Sequence, residues 1–398
     1  MADRRSQTRR RWLGSCASVA GVTALSGCSG GEETETGGDG NDGSDGEESS
    51  SSDWPMYGVD LQNTAHQPNV TGPDGDSVTA RKVHDMGGGS SYPVVVVDNY
   101  LYATSRNGVV LAFDRESEEL LWEEDGHGPL MAHDGTIYGP RASHSVYGYD
   151  MESGARWEST EVELDRSLNL NNEPIPTNNG VFVISDDHVW NVDFDSGEYT
   201  STHEYSQYSR DLIGNTDIPA YNNGILYHAR GVELYALNVE TGEHEWIVKG
   251  ENVMHSGNPA VANGKVYITS ADEQLYAYDA ESGDEIWTVE TTTQVETSPA
   301  VTDKKVYFGD NQRVAAVNAE SGEIEWDIDI AIPESEVVIA DGVVYLANSL
   351  GLTALDSNTG GLQWELELDG GFTSPPTVSD GVVYLPALNN SLYAIEDT

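Results

Sequence analysis

Cysteine is nearly missing from this chain: Cys16 and Cys28 are the only two in 398 residues. Both lie close to the N-terminus, so no disulfide framework can staple the remainder, and the fold must rest on packing. Basic residues are scarce as well, 19 Lys and Arg against 68 Asp and Glu, for a net charge of −49. Such a surface excludes nucleic acid as a partner, because phosphate binding needs basic side chains. It also excludes electrostatic adhesion to anionic lipid. The one apolar N-terminal run, of about 15 residues, is too short to span a bilayer comfortably. Motifs for chemistry are missing too. There is no Gly-x-Ser-x-Gly elbow and no EF-hand loop, although Asp186, Asp187, Asp193 and Asp195 could hold a loose calcium ion. His127, His133 and His144 lack the i, i+4 spacing of common zinc sites. Glu152, Glu240, Glu281 and Glu320 recur at one repeat position, which marks them as surface turn residues. No catalytic residue and no metal ligand is assigned.

What the chain does contain is repetition. Six times it writes Ala-x-Asp/Asn-x-x-Ser/Thr-Gly-x-x-x-Trp or a near copy. Full copies start at Ala236, Ala277, Ala316 and Ala354 and end at Trp246, Trp287, Trp326 and Trp364. Looser copies end at Trp122, with Glu118 in place of the glycine, and at Trp157, with one residue missing after Gly154. In the third unit Ser201 stands where the tryptophan should be. Each phrase follows an apolar hairpin such as Ala260–Ile268, whose Asn263-Gly264 pair marks a tight turn. Four short strands per unit result. The hairpin aromatics Tyr102, Tyr138, Phe182, Tyr227, Tyr267, Tyr307, Tyr345 and Tyr384 count eight units. A period near 40 residues predicts a repeat architecture. The last unit stops at Thr398 without its fourth strand, and Ser77–Asp85 is a suitable replacement. The expected fold is therefore all-β: an eight-bladed β-propeller of four-stranded antiparallel blades, closed by the N-terminal strand completing the last blade.

The repeated phrase resembles the tryptophan-docking repeat of PQQ-like (quinoprotein alcohol dehydrogenase-like) β-propellers. Asp53-Trp54-Pro55-Met56-Tyr57-Gly58-x-Asp60 resembles the segment leading into many of those domains. The resemblance covers roughly Trp54 to Thr398. It implies the fold; for function it implies either a binding propeller or a dehydrogenase using PQQ and Ca²⁺. The adjacent cysteine pair of the quinoprotein alcohol dehydrogenases is lacking here.

Three regions divide the chain. Residues 1–27 read as a twin-arginine lipoprotein signal peptide: Arg9-Arg10-Arg11 precede a weakly apolar run, and Leu25-Ser26-Gly27-Cys28 fits a lipobox. Cys28 is the expected lipidation site. Residues 28–53 form an acidic Gly/Ser linker with nothing apolar to bury, expected to be disordered, with a reach of roughly 25–30 Å. Residues 54–398 form the propeller. Removing residues 1–27 takes away five Arg and one Asp, a net +4, and leaves −53. Self-repulsion of that size is screened at molar salt, where the screening length is about 3 Å. The composition thus points to a halophilic, haloarchaeal type of lipoprotein, held by its lipid on the outer face of the cytoplasmic membrane, extracytoplasmic and monomeric.

The repeat tryptophans, Trp122, Trp157, Trp246, Trp287, Trp326 and Trp364, are expected to pack between blades as scaffold. A ligand site is expected where the innermost strands meet the axis, at Tyr92, Asn172, Asp217, His255, Asn258, Ser298 and Ser374. The alternative for these residues is strand capping. Two function classes follow. One is a membrane-tethered binding or scaffold module for a protein or glycan, with no cofactor. The other is a PQQ/Ca-dependent dehydrogenase oxidising alcohols or sugars. Reconstitution with PQQ and Ca²⁺ distinguishes them.

Overall fold

Alternating apolar residues and left-handed turns produce thirty-three strands among the described residues of the computed structural model. It describes residues 53–398 except 54, 57, 76, 142–144, 159–173, 178–179, 185–187, 194–195, 197, 205–217, 231, 250–256, 294, 296, 311 and 331–334. The strands form eight sheets, seven of four strands and one of five, each built on a four-stranded antiparallel meander. The fifth blade shows the plan: Ala260–Ala262 nearest the axis, then Lys265–Ser270, Gln274–Asp279 and, outermost, Glu285–Glu290. The eighth blade takes its outer strand, Val78–Asp85, from the N-terminal side, paired with Ser391–Asp397. That is the expected closure. Beside it, Thr377 Oγ1 donates to Val94 O at 2.8 Å, joining the innermost strands of blades eight and one. All described residues lack a helix that could cross a membrane.

The repeated phrase explains the seams between blades. Asp279 Oδ1 accepts the N–H groups of Glu281 (3.0 Å) and Ser282 (2.8 Å), and Ser282 Oγ accepts from Asp284 N. Those bonds hold the Asp279 carboxyl below the usual carboxylate range, the Ser282 amide contributing most. Gly283 closes the turn at φ 74°, a conformation side chains disfavour. Its bare face also receives the neighbouring indole: a Cβ there would lie 2.7 Å from Trp246 Cδ2. At four seams the outer tryptophan and the hairpin tyrosine of one blade donate to one carbonyl of the next. Trp287 Nε1 and Tyr267 Oη reach Ala319 O at 3.2 and 3.3 Å. The same geometry joins Trp122 and Tyr102 to Met151 O, Trp246 and Tyr227 to Ala280 O, and Trp326 and Tyr307 to Ser357 O. Each of those tryptophans lies opposite the motif alanine, where a β-bulge follows. Trp157 pairs with Gly148 in its backbone; its side chain lies outside the described residues.

Two departures from the motif have a structural counterpart. In the third blade Ser201 lies opposite Trp190, so the bulky partner has moved to the adjacent strand. In the eighth, Arg81 stands opposite Ala394, the tryptophan position, and ion-pairs with Glu118, which replaces the first blade's glycine. Its Nε also reaches Glu396 at 2.6 Å. An Arg–Glu pair thus substitutes for an indole–glycine dock. We expect Arg81→Trp and Glu118→Gly to destabilise singly and to recover together, with a coupling energy of about 1–3 kcal/mol in a double-mutant cycle of thermal unfolding. Additive single effects would refute the equivalence.

At the seventh seam the turn is split between the termini. Asp397 accepts Asp74 N and Gly75 N, and a Cβ on Gly75 would lie 2.5 Å from Trp364 Cδ1. The glycine of the eighth docking turn therefore comes from the other end of the chain. Trp364 Nε1 and Tyr345 Oη, whose counterparts share a carbonyl, are buried here without a hydrogen-bond partner.

Candidate functional site

The innermost strands surround an axial channel, and the chain's own N-terminal segment fills it. The described residues of 53–71 form a strap that bonds the same strand position in blade after blade. Ala132 N donates to Pro55 O, Tyr221 N to Leu61 O, Val261 N to Gln62 O, Val301 N to Thr64 O and Ile339 N to Ala65 O, at 2.6–2.8 Å. In the third blade that position is Pro176, which has no N–H to give. Asp53 Oδ1 takes Asp98 N and Thr71 O takes Gly381 N, extending the strap to blades one and eight. His66–Gln67 adds a parallel fifth strand to the seventh blade. To make these turns Val59, Asn63 and Ala65 adopt φ of 76°, 55° and 50°. Such conformations cost non-glycine residues roughly 1–2 kcal/mol each, offset by the bonds they permit. Asp60 Oδ1 takes Thr64 N at 2.9 Å.

The strap enters from the end carrying the inner hairpin turns, here the strap face. Its tip, Asn63, is buried at 3% exposure and donates through Nδ2 to Ile218 O (3.2 Å) and Pro259 O (3.1 Å). Beyond it lies a cavity of about 10 Å³ bounded by Pro93, Pro299 and Pro375, room for roughly one water. A sugar or quinone must therefore sit on the far side of this ring, on the loop face, where outer strands connect to the next inner strand.

The structure distributes the expected site residues as follows. Asn258 and Ser298 come together at the cavity. Asn258 Oδ1 accepts Ile218 N at 2.5 Å, and Ser298 Oγ accepts Asn258 N at 3.0 Å, so both bridge neighbouring blades. Ser374 is fully buried, its hydroxyl on Pro375 O at 3.0 Å. Tyr92 is half-buried in a turn through Ser90 Oγ, at 3.1 Å. Asn172, Asp217 and His255 lie outside the described residues, as does Cys28. Glu336 was not foreseen. The strand register places it in the seventh blade where Asn258 stands in the fifth, and it lines the same cavity. Val337 follows it where blades three to six and eight carry proline, so the sequence marker for the position was missing; counting back from Tyr345 would have found it.

Two histidines of the fourth blade, His228 buried and His244 half-buried, make it acid-sensitive. Burial, then nearby Arg230, pushes His228 down to about 3. Burial, then His203 edge-on at 4.3 Å, pushes His244 down to about 4. Both folded values lie below the unfolded value near 6.5, so above that pH neither residue lowers stability. As pH falls from 6.5 towards 3, the unfolded chain takes up protons that the folded chain cannot, and stability drops. Asp60 runs the other way: burial pushes it up to about 6, against its bonds from Thr64, so its contribution falls as pH rises through 4 to 6. The thermal midpoint should therefore decline on acidification below 6.5, and His228→Asn should flatten that decline. An unchanged slope would contradict the assignment.

Residues 70–160, 185–337 and 310–398 match the PQQ_2 family, described as outer membrane protein assembly factor BamB. The chain belongs to this family. Among solved structures, the PQQ_2 propeller is similar to BamB from Moraxella catarrhalis at 18% identity and TM-score 0.65, covering 80% of this chain and 99% of that one. It is also similar to a quinohemoprotein alcohol dehydrogenase from Comamonas testosteroni at 13% identity and TM-score 0.70, covering 86% and 80%. A europium-containing methanol dehydrogenase follows at 12% and 0.68, covering 84% and 89%. At these identities the likeness is one of fold. No curated protein sequence matches the PQQ_2 propeller. Two arginines that could meet a tricarboxylate quinone already have protein partners. Arg106 is bound to Ser91, and Arg313 is held by Asp310, Asp327 and Glu290 O. Among the described residues no group of three or more His, Cys, Asp or Glu is placed to hold a metal.

Proposed function

We propose that this protein is a membrane-tethered, extracytoplasmic β-propeller that binds a protein or glycan partner on its loop face. The observation carrying this reading is the strap. It occupies the channel from one side, so recognition is left to the opposite face. Membership of a family described by an assembly factor supports a protein partner, and Arg9-Arg10-Arg11 with Leu25–Cys28 supports export and lipid anchoring. The net charge of −49 leaves attachment to the lipid chain, because anionic headgroups would repel the propeller.

Three experiments test it. Cys28→Ser should move the protein from the membrane fraction to the soluble fraction; unchanged membrane retention removes the tether. Partner capture from native membranes should be lost in Tyr92→Ala, on the loop face, and kept in Lys304→Ala, on the strap face. The reverse pattern would place recognition elsewhere. Incubation with PQQ and Ca²⁺ in high salt should leave no bound quinone and no dye-linked alcohol oxidation; turnover would make the protein a dehydrogenase.

A further inference from the structure

We infer that Asn223 is a site of spontaneous covalent modification, deamidating through Gly224 to aspartate and isoaspartate in the inner hairpin of the fourth blade. The chain carries four Asn-Gly pairs, at Asn107, Asn179, Asn223 and Asn263; Asn179 lies outside the described residues. Glycine leaves its own nitrogen open to attack the preceding amide carbon, so the surroundings of each pair decide whether reaction occurs. Asn107 is held: its Nδ2 donates to Gly87 O at 2.5 Å, and Gly108 N donates to Ser105 O at 3.0 Å. That pair is also crowded, since a Cβ on Gly108 would lie 2.4 Å from His127 Cε1. Asn263-Gly264 makes the same two-residue turn as Asn223-Gly224, with φ of 54° and 69° against 49° and 81°. Neither glycine has a heavy atom within 4 Å of where its Cβ would be. The Asn263 amide is nevertheless tied to the sixth blade, Nδ2 donating to Asp303 O at 3.3 Å and Thr302 O at 3.5 Å. The exposed Asn223 amide has no hydrogen-bond partner among the described residues. Gly224 N–H faces the Tyr221 hydroxyl rather than a backbone carbonyl.

Hydroxide removes the proton of Gly224 N, and the nitrogen attacks Cγ of Asn223. The Cγ–Nδ2 bond breaks, ammonia leaves with a proton taken from water, and a succinimide ring remains. Water then opens the ring. Cleavage of the N–Cγ bond gives aspartate; cleavage of the bond from N to the main-chain carbonyl carbon gives isoaspartate. No electrons are transferred, and water is the sole co-reactant. The added charge is small beside a net −49. The isoaspartyl product matters more, because its main chain runs through Cγ and is one methylene longer. That lengthening falls inside the hairpin whose register pairs Asn222 with Ile225. It lies beside Gly224 O, which accepts Val239 N at 3.0 Å, and close to Tyr221 N, which donates to the strap at Leu61 O at 2.6 Å. The modification therefore loosens the fourth blade's hold on the strap. This site is separate from the partner face, and neither depends on the other.

The full chain, kept in molar salt at mildly alkaline pH, is followed over time by mass-spectrometric peptide mapping, with isoaspartate detected by enzymatic methylation. Asn223 should show the amide-to-acid mass change first, about fivefold faster than Asn263, the factor that one net hydrogen bond supplies. Asn107 should stay intact. Conversion of Asn263 or Asn107 as fast as Asn223 overturns the inference. So does an intact Asn223 at a time when a free peptide of residues 218–230 has reacted fully. The isolated isoaspartyl protein should melt below the parent, whereas Asn223→Asp, which carries the charge without the extra methylene, should melt with the parent. An isoaspartyl form as stable as the parent removes the link to the strap.

Discussion

A chain beginning at Met86 is expected to lose its cooperative thermal transition. That truncation removes the strap and the closing strand Val78–Asp85, which completes the eighth blade through Ser391–Asp397. Leu392, Ala394 and Ile395, fully buried in the intact ring, would face solvent, and an unpaired edge would be exposed. The strap's hydrogen bonds to five inner strands would go with it. The combined loss should exceed about 5 kcal/mol, comparable with the whole stability of a typical domain. Circular dichroism in molar salt is the measurement, with a peptide of residues 53–85 added in trans as control. A cooperative melt within a few degrees of the parent would show that the ring does not depend on its N-terminal seal.

Trp287→Ala is the second large effect, expected to cost roughly 3–5 kcal/mol. The indole is 9% exposed, lies 5.7 Å from the Tyr267 ring, and packs on Gly322, whose Cβ would come within 2.9 Å of it. Removing it leaves a cavity the neighbouring sheets cannot close without shifting the seam. A gentler contrast separates volume from hydrogen bonding. Trp287→Phe gives up the bond to Ala319 O, whereas Trp364→Phe gives up an N–H that has no partner. The first should be more destabilising by about 1 kcal/mol. An unchanged thermal midpoint for Trp287→Ala in high salt would refute the placement of the tryptophans between blades.

The repeat made the fold legible because each strand carries local instructions. Asn263-Gly264 turns a hairpin, Asp279 and Ser282 close the docking turn through their own backbone neighbours, and Trp287 marks the outer strand. None of these needs distant information, so eight units and even the borrowed strand could be counted from residues alone. The axial residues were harder. Asn258 and Ser298 were found because prolines follow them, while Glu336 was missed because Val337 follows it. The strap could not be read at all. Its turn carries no repeat signature, and residues 56–65 bond to strands as far away as Ile339. The meaning of Glu118 was equally hidden, since its partner Arg81 lies in the closing strand on the opposite side of the docking turn it alters.

By itself, then, the order of residues determined the architecture: short-range turn chemistry repeated eight times leaves a closed ring as the way to bury every blade edge that faces a neighbour. Only the tertiary structure decided that the channel is filled from one side by the chain's own strap, and that polar residues near the axis bridge blades. Those outcomes depend on contacts between segments 40 to 323 residues apart, such as Asn258 with Ser298, Asn63 with Pro259 and Asp74 with Asp397. Local propensity carries no record of such contacts, because they exist only once the ring has closed.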